Sequence, residues 1–151
     1  MAACPEGDLL LGYSSGSIGE GWSLVIATHI ALCPKCRDFV SSAELMGGAL
    51  LDEIKPEPVT DMALDHVLMK LDKQESIKIP AKSSQSSIFP EPLRKYVGGD
   101  FDKVAWKSIG GGFRQCLLPT VDSSQVRLLS IPAGRRVPEH DHRGRELTLV
   151  L

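Results

Sequence analysis

The 151-residue chain is poor in several things, and each shortage removes a class of protein. Aromatic residues make up 5% of it and cysteines number four, too few for the disulfide scaffold of a small secreted domain. A reducing cytoplasm is the expected location. No apolar run approaches the roughly 20 residues that span a bilayer. The longest, residues 24–33, is interrupted by His29. The N-terminus is acidic and lacks the basic segment of a secretory signal. No membrane partner is expected.

The first half also lacks positive charge. Residues 1–75 hold five Lys/Arg against twelve Asp/Glu, whereas residues 76–151 hold twelve against seven. The net charge of -2 therefore conceals halves of opposite sign. An acidic first half argues against direct contact with nucleic acid. It suits a basic protein surface, such as one that normally faces DNA. A solvated acidic face is the plainer alternative.

What the chain does have is a concentrated motif. Residues 28–36 read Thr-His-Ile-Ala-Leu-Cys-Pro-Lys-Cys, an H-x3-C-x2-C pattern. His29 and Cys33 are four apart and share one helical face. Pro34 disfavours helix at Cys33 but suits the first position of a new helix. Cys36 then lies in that first turn and points back toward Cys33. One imidazole and two thiolates converge at a corner, three of the four ligands of a tetrahedral zinc site. The alternative is a buried histidine beside two core thiols. A redox reading of Cys33-Pro34-Lys35-Cys36 is weaker, because no strand–loop–helix context precedes it. Cys4 is the best candidate for the fourth ligand, with Asp38, Glu6 or water as fallbacks. A free thiol on a frayed terminus is the alternative for Cys4.

Helical periodicity fills the first half. Leu9, Leu10 and Tyr13 give a short stripe after Asp8. Ser17-Ile18-Gly19-Glu20 has the form of a capping box, so a second helix is expected to begin near 17–20. Trp22, Val25, Ile26, His29 and Leu32 recur on a helix apolar nearly all round, which should be central in a bundle. A third helix is expected from Pro34 toward Ile54, striped by Phe39, Val40, Ala43, Met46 and Leu50 and weakened at Gly47-Gly48. After Pro56 and Pro58, Thr60 can cap a fourth helix carrying Leu64, Val67, Leu68 and Leu71. That helix either packs on the bundle or grips a partner. His66 falls off its stripe and reads as a surface histidine.

The composition of residues 76–88, Ser-rich at 83–87, reads as a linker. It separates a helical domain, residues 1–75, from a β domain, residues 89–151. Strands are expected at Val104-Ala105-Trp106, across 113–118, across 126–131 and from Glu146 onward, with Gly110-Gly111-Gly112 as a turn or bulge. Short strands at this spacing suggest an antiparallel sandwich or barrel. Cys116 reads as a packed thiol. His140 and His142 share one strand face, and Glu146 follows across an Arg143-Gly144-Arg145 turn. Two histidines and a carboxylate facing one cavity make a site for a first-row metal, zinc, manganese or iron. An exposed polar loop is the alternative.

The spacing Gly134-x5-His140-x-His142-x3-Glu146 resembles the first signature motif of the cupin superfamily. The sequence stops at Leu151, before the glycine that closes that motif, and the second cupin motif is absent from it, so the first half of a cupin barrel is expected and the chain is expected to be a fragment or truncated. An H-x3-C-x2-C helical domain, a Ser-rich linker and a cupin together resemble the ChrR-type zinc-binding anti-sigma factors. Tyr96-Val97-Gly98-Gly99 and Arg114-Gln115-Cys116 extend the resemblance. It implies a zinc-binding helical bundle followed by a partial cupin antiparallel β-barrel. It also implies a function: inhibition of a group IV (extracytoplasmic-function) sigma factor in the cytoplasm, with the cupin needed for response to singlet oxygen or related oxidants. The implied ligands are Cys4, His29, Cys33 and Cys36 for zinc, and His140, His142 and Glu146 for zinc or another divalent first-row metal. In that family the first zinc ligand is usually a histidine, a place Cys4 takes here. No enzyme activity is implied. The competing expectation, a cupin dioxygenase or isomerase with a zinc-binding appendage, has only three ligands and half a barrel to rest on.

Overall fold

A computed structural model describes residues 4–60, 62–72, 87–137 and 144–151. Helix α1 (Gly7–Ser14), α2 (Glu20–Leu32) and α3 (Pro34–Asp52) form a bundle, followed by α4 (Ala63–Asp72) and α5 (Glu91–Val97). A 3-10 turn (Phe101–Lys103) leads into β1 (Lys107–Gly110), β2 (Phe113–Leu118) and β3 (Val126–Ser130). The strands form one antiparallel sheet in the order β1-β2-β3. Helices first and an antiparallel sheet second is the expected order, and the sheet is consistent with part of a cupin barrel. The linker expected over 76–88 lies outside the described residues up to position 86.

Helix α2 holds the molecule together. Apolar nearly all round, it is covered on two sides, as such a helix must be. Ile26 joins Leu10, Cys36 and Val40 in a first core, flanked by Leu9, Tyr13, Ile18 and Ile30. Leu24 joins Phe89, Leu93, Val104 and Leu118 in a second, flanked by Val126 and Leu128 of the sheet. The helix expected to be central in a bundle is thus central between the bundle and the sheet. Its one buried hydroxyl is satisfied within the helix, Thr28 Oγ1 donating to Leu24 O at 2.7 Å.

Both ends of α2 depend on groups from elsewhere. Four backbone carbonyls at a helix C-terminus lack intrahelical partners, and Arg37 Nη1 donates to two of them, Ile30 O at 3.0 Å and Ala31 O at 3.3 Å. At the N-terminus the capping box does not form. The N-cap is Gly19, with no side-chain cap from its own segment, and Ser17 Oγ turns to Gly12 O instead. Asp122, from the β2–β3 loop, accepts the Gly21 N–H at 3.4 Å.

Two further expectations need correction. The strand placed at Val104–Trp106 is not one: Val104 ends the 3-10 turn and is buried in the second core, and the strand begins at Lys107. Asp100 decides this locally. Its carboxylate accepts the N–H groups of Ile88 at 2.8 Å and of Phe89 and Phe101 at 2.9 Å, tying the turn to the segment before α5. Residues 146–151 form no strand, because no described strand lies beside them; Leu147 packs on the first core instead. The α3 stripe is buried only as far as Val40; beyond it Met46 and Leu50 are 71% and 67% exposed. The Gly47-Gly48 pair neither ends nor interrupts the helix.

Elsewhere the structure follows the sequence. The tight turn at Gly110-Gly111-Gly112 takes positive φ at all three glycines, and the β1–β2 register shifts there. Leu118, Cys116, Val126 and Leu128 face the second core while Leu117 and Leu129 point away.

Candidate metal centre

Cys33 sits between two helices for the reason its sequence gives. Pro34 follows it, so it is extended (φ -111°, ψ 104°), and Pro34 opens α3. The last turn of α2 delivers His29, and the first turn of α3 delivers Cys36, both buried. Cys4 arrives from the segment before α1. One ligand atom from each of Cys4, His29, Cys33 and Cys36 lies within 4.8 Å of every other.

The separations suit a tetrahedral ion. Bonds of about 2.3 Å to sulfur and 2.0–2.1 Å to nitrogen place ligand sulfurs about 3.8 Å apart and nitrogen about 3.5 Å from sulfur. Cys4 Sγ and Cys33 Sγ are 3.9 Å apart, and His29 Nε2 is 3.3 Å from Cys36 Sγ. Three thiols and one imidazole would fill all four positions of such an ion and leave none for substrate, the mark of a structural rather than a catalytic centre.

The thiols are unequal. The backbone N–H of Cys36 holds the Cys33 thiol below its ordinary value of 9.0, against the opposing effect of burial; the thiols of Cys36 and Cys4 and the Lys35 N–H add to the lowering. Burial pushes Cys36 up to about 12, and the neighbouring sulfurs of Cys4 and Cys33 push the same way. Without a cation, Cys36 keeps its proton. A divalent ion held there would reverse that balance by supplying the positive charge that three clustered sulfurs lack.

Residues 144–150 cross over this centre. Arg145 Nη2 lies 3.8 Å from both Glu6 Oε2 and Asp8 Oδ2, and its guanidinium stands 5.8 Å from the centre of the Trp22 ring. Residues 147–150, with Cys4, Pro5, Val25 and His29, line a hollow of about 330 Å3 beside the ligands. No sequence motif marks this strap; its signals are a lone arginine and a leucine in a stretch whose alternation reads as a strand.

Of the second constellation, only Glu146 is described. It is exposed, and its Oε1 accepts from Thr148 Oγ1 at 3.1 Å. His140 and His142 lie outside the described residues. Among the described residues, Cys116 stands apart from the metal cluster and packs against the second core, as expected.

No family model matches the chain. It is 43% identical over 143 residues to the anti-sigma-E factor ChrR of Cereibacter sphaeroides, a match covering 95% of this chain and 67% of that protein. Among solved structures, it resembles a chain in the crystal structure of Rhodobacter sphaeroides SigE in complex with the anti-sigma ChrR. That match has a TM-score of 0.77 and 36% identity, over 95% of this chain and 72% of the other.

Proposed function

The chain belongs to the ChrR family of anti-sigma factors, and from that premise we propose that it binds a sigma factor of the extracytoplasmic-function class and holds it inactive. It is a regulator, not an enzyme.

The observation that carries this reading is a pair of uncovered apolar helix faces on the acidic half. On α3, past Val40, Leu45, Met46, Leu50 and Leu51 are each at least 67% exposed. On α4, Leu64, Val67, Leu68 and Leu71 are between 48% and 66% exposed. No described element of the chain buries them. Contiguous apolar surface of this kind marks a protein interface, and an amphipathic helix whose i, i+3, i+4, i+7 positions face outward suits a helix-in-groove mode. The negative charge of residues 1–75 favours a basic partner such as a DNA-facing sigma surface.

The metal assigned to Cys4, His29, Cys33 and Cys36 is zinc, the usual ion of a closed tetrahedral site made of three cysteines and a histidine. When bound it supplies a crosslink. The residues do the rest: Cys4 pins the N-terminal segment, and His29, Cys33 and Cys36 fix the angle between α2 and α3. That angle sets where the exposed part of α3 points.

The division into a helical domain (1–75), a linker (76–88) and a cupin-like domain (89–151) is part of the same reading, as is a cytoplasmic location. So is a second metal site at His140, His142 and Glu146, serving a response to singlet oxygen or related oxidants rather than turnover. The test is co-purification of the full chain with its extracytoplasmic-function sigma factor, parent against Val67→Glu with Leu68→Glu. The parent should retain sigma and the variant should lose it while keeping its circular dichroism. Equal retention by both would contradict the assignment of the α4 face.

A further inference from the structure

The β2–β3 loop is built around the first turn of α2. Asp122 takes the Gly21 N–H on Oδ2 and is itself braced through Oδ1 by the Ser124 N–H at 3.1 Å and the Ser124 hydroxyl. Thr120 Oγ1 closes the loop on Ser124 O at 2.7 Å. In return Glu20 accepts the Val121 N–H at 2.5 Å, and Tyr96, at the end of α5, donates its hydroxyl to Pro119 O. The fit leaves no room for side chains on the helix. A Cβ at Gly19 would stand 2.1 Å from Asp122 Oδ2, and one at Gly21 would stand 2.1 Å from Ser124 Oγ and 2.8 Å from Val126 Cγ2.

We propose that residues 119–126 are a latch on α2, and that Asp122 is a positioning residue for the metal centre at the far end of that helix. Asp122 supplies from the sheet the N-cap that α2's own segment fails to supply. Gly19 and His29 are ten residues apart on one rigid helix, about 15 Å of axial rise. The loop's two ends run into Leu118, buried in the second core, and Val126, packed against it. A shift of the sheet therefore reaches α2 through the latch, and α2 carries it to His29. The zinc readout below rests on the metal reading of the preceding section; the exchange readout does not.

The test uses the full chain with Cys116→Ser, loaded with zinc so that Cys4, Cys33 and Cys36 are occupied, and crosslinked through Gly19→Cys and Asp122→Cys. The Cβ positions at 19 and 122 are 3.7 Å apart, within the range of a disulfide. Two rates are read: hydrogen–deuterium exchange of the α2 amides, and transfer of zinc to a chromophoric chelator. The crosslinked protein should be slower than the Cys116→Ser parent in both, and Asp122→Ala faster in both, by about 2- to 30-fold, the range a lost helix cap produces. The acceleration in Asp122→Ala should concentrate in α2 and spare α5 and the sheet, which a general loss of stability would not do. Equal rates in all three proteins, a change confined to residues 119–124, or failure of the disulfide to form would each overturn the proposal. A chain that binds no zinc but still shows the exchange pattern would count against the metal reading and for the latch.

Discussion

Helices α2 and α4 are both rich in leucine, valine and isoleucine or methionine, yet they meet opposite fates. Every turn of α2 is claimed: Ile26 is fully buried in one core and Leu24 lies in the other. On α4 none of Leu64, Val67, Leu68 or Leu71 is claimed by a described element. Apolar surface in α2 stabilises the fold, whereas apolar surface in α4 and the outer two-thirds of α3 is not covered by the described residues, which is where the proposed partner would bind. Helix α3 contains the boundary within itself, buried at Cys36 and Val40 and open from Met46 onward.

Perturbations should separate the two classes, and the metal centre gives the largest effect. Structural zinc contributes on the order of 10 kcal/mol in small metal-folded units. Cys36→Ser should lose the ion, much of the helical circular dichroism and sigma binding together; a variant that keeps its helicity and its metal would detach the centre from the fold. Because Cys36 must give up a proton held to about 12, zinc affinity should fall as pH falls, which a chelator competition across pH 6–8 would read.

Next in size is the α2 core. Ile26→Ala should destabilise by about 2–5 kcal/mol in chemical denaturation, the usual loss for a buried aliphatic side chain. Leu68→Ala on α4 should change stability by less than about 0.5 kcal/mol. It should nevertheless weaken sigma binding by about tenfold, a difference of about 1.4 kcal/mol. If the two substitutions were equally destabilising, α4 would be a core helix and the comparison would fail.

The smallest predicted effect is an acid dependence in the sheet half. Burial opposes ionisation of Asp100, but the N–H groups of Phe89, Phe101 and Ile88, helped by Arg94, outweigh it and hold the carboxyl below its ordinary 3.8. A carboxyl lowered in the folded state adds stability above the unfolded value, and that stability is lost as pH falls through the folded value. Asp100→Asn should therefore lower the denaturation midpoint at pH 7, and the gap should close below about pH 4. A gap that widened in acid would contradict the assignment.

Local rules made much of this legible in the sequence. The His29/Cys33/Cys36 corner follows from one proline and two spacings, and β2 and β3 follow from alternation. Cys4 was reachable because it is the only cysteine or histidine outside the motif that precedes His66. What was hidden depended on distant contacts. Ser17 and Glu20 satisfied the capping-box pattern, but Asp122, a hundred residues on, occupies the cap. Gly19 and Gly21 then look like weak points in a helix start, when they are the clearance that the β2–β3 loop requires. Val104 and Trp106 alternate like a strand but flank a turn set by Asp100. The α3 stripe is legible as an apolar face, but periodicity reports a face, not what covers it.

The most direct test is hydrogen–deuterium exchange of the full chain, free and bound to its sigma factor. Amides of α4 and of α3 beyond Val40 should gain protection on binding, while those of α2, already shielded by two cores, should change little. Protection gained in α2 or the sheet, with α4 and distal α3 unchanged, would contradict the assignment of covered helices to the fold and uncovered ones to the partner.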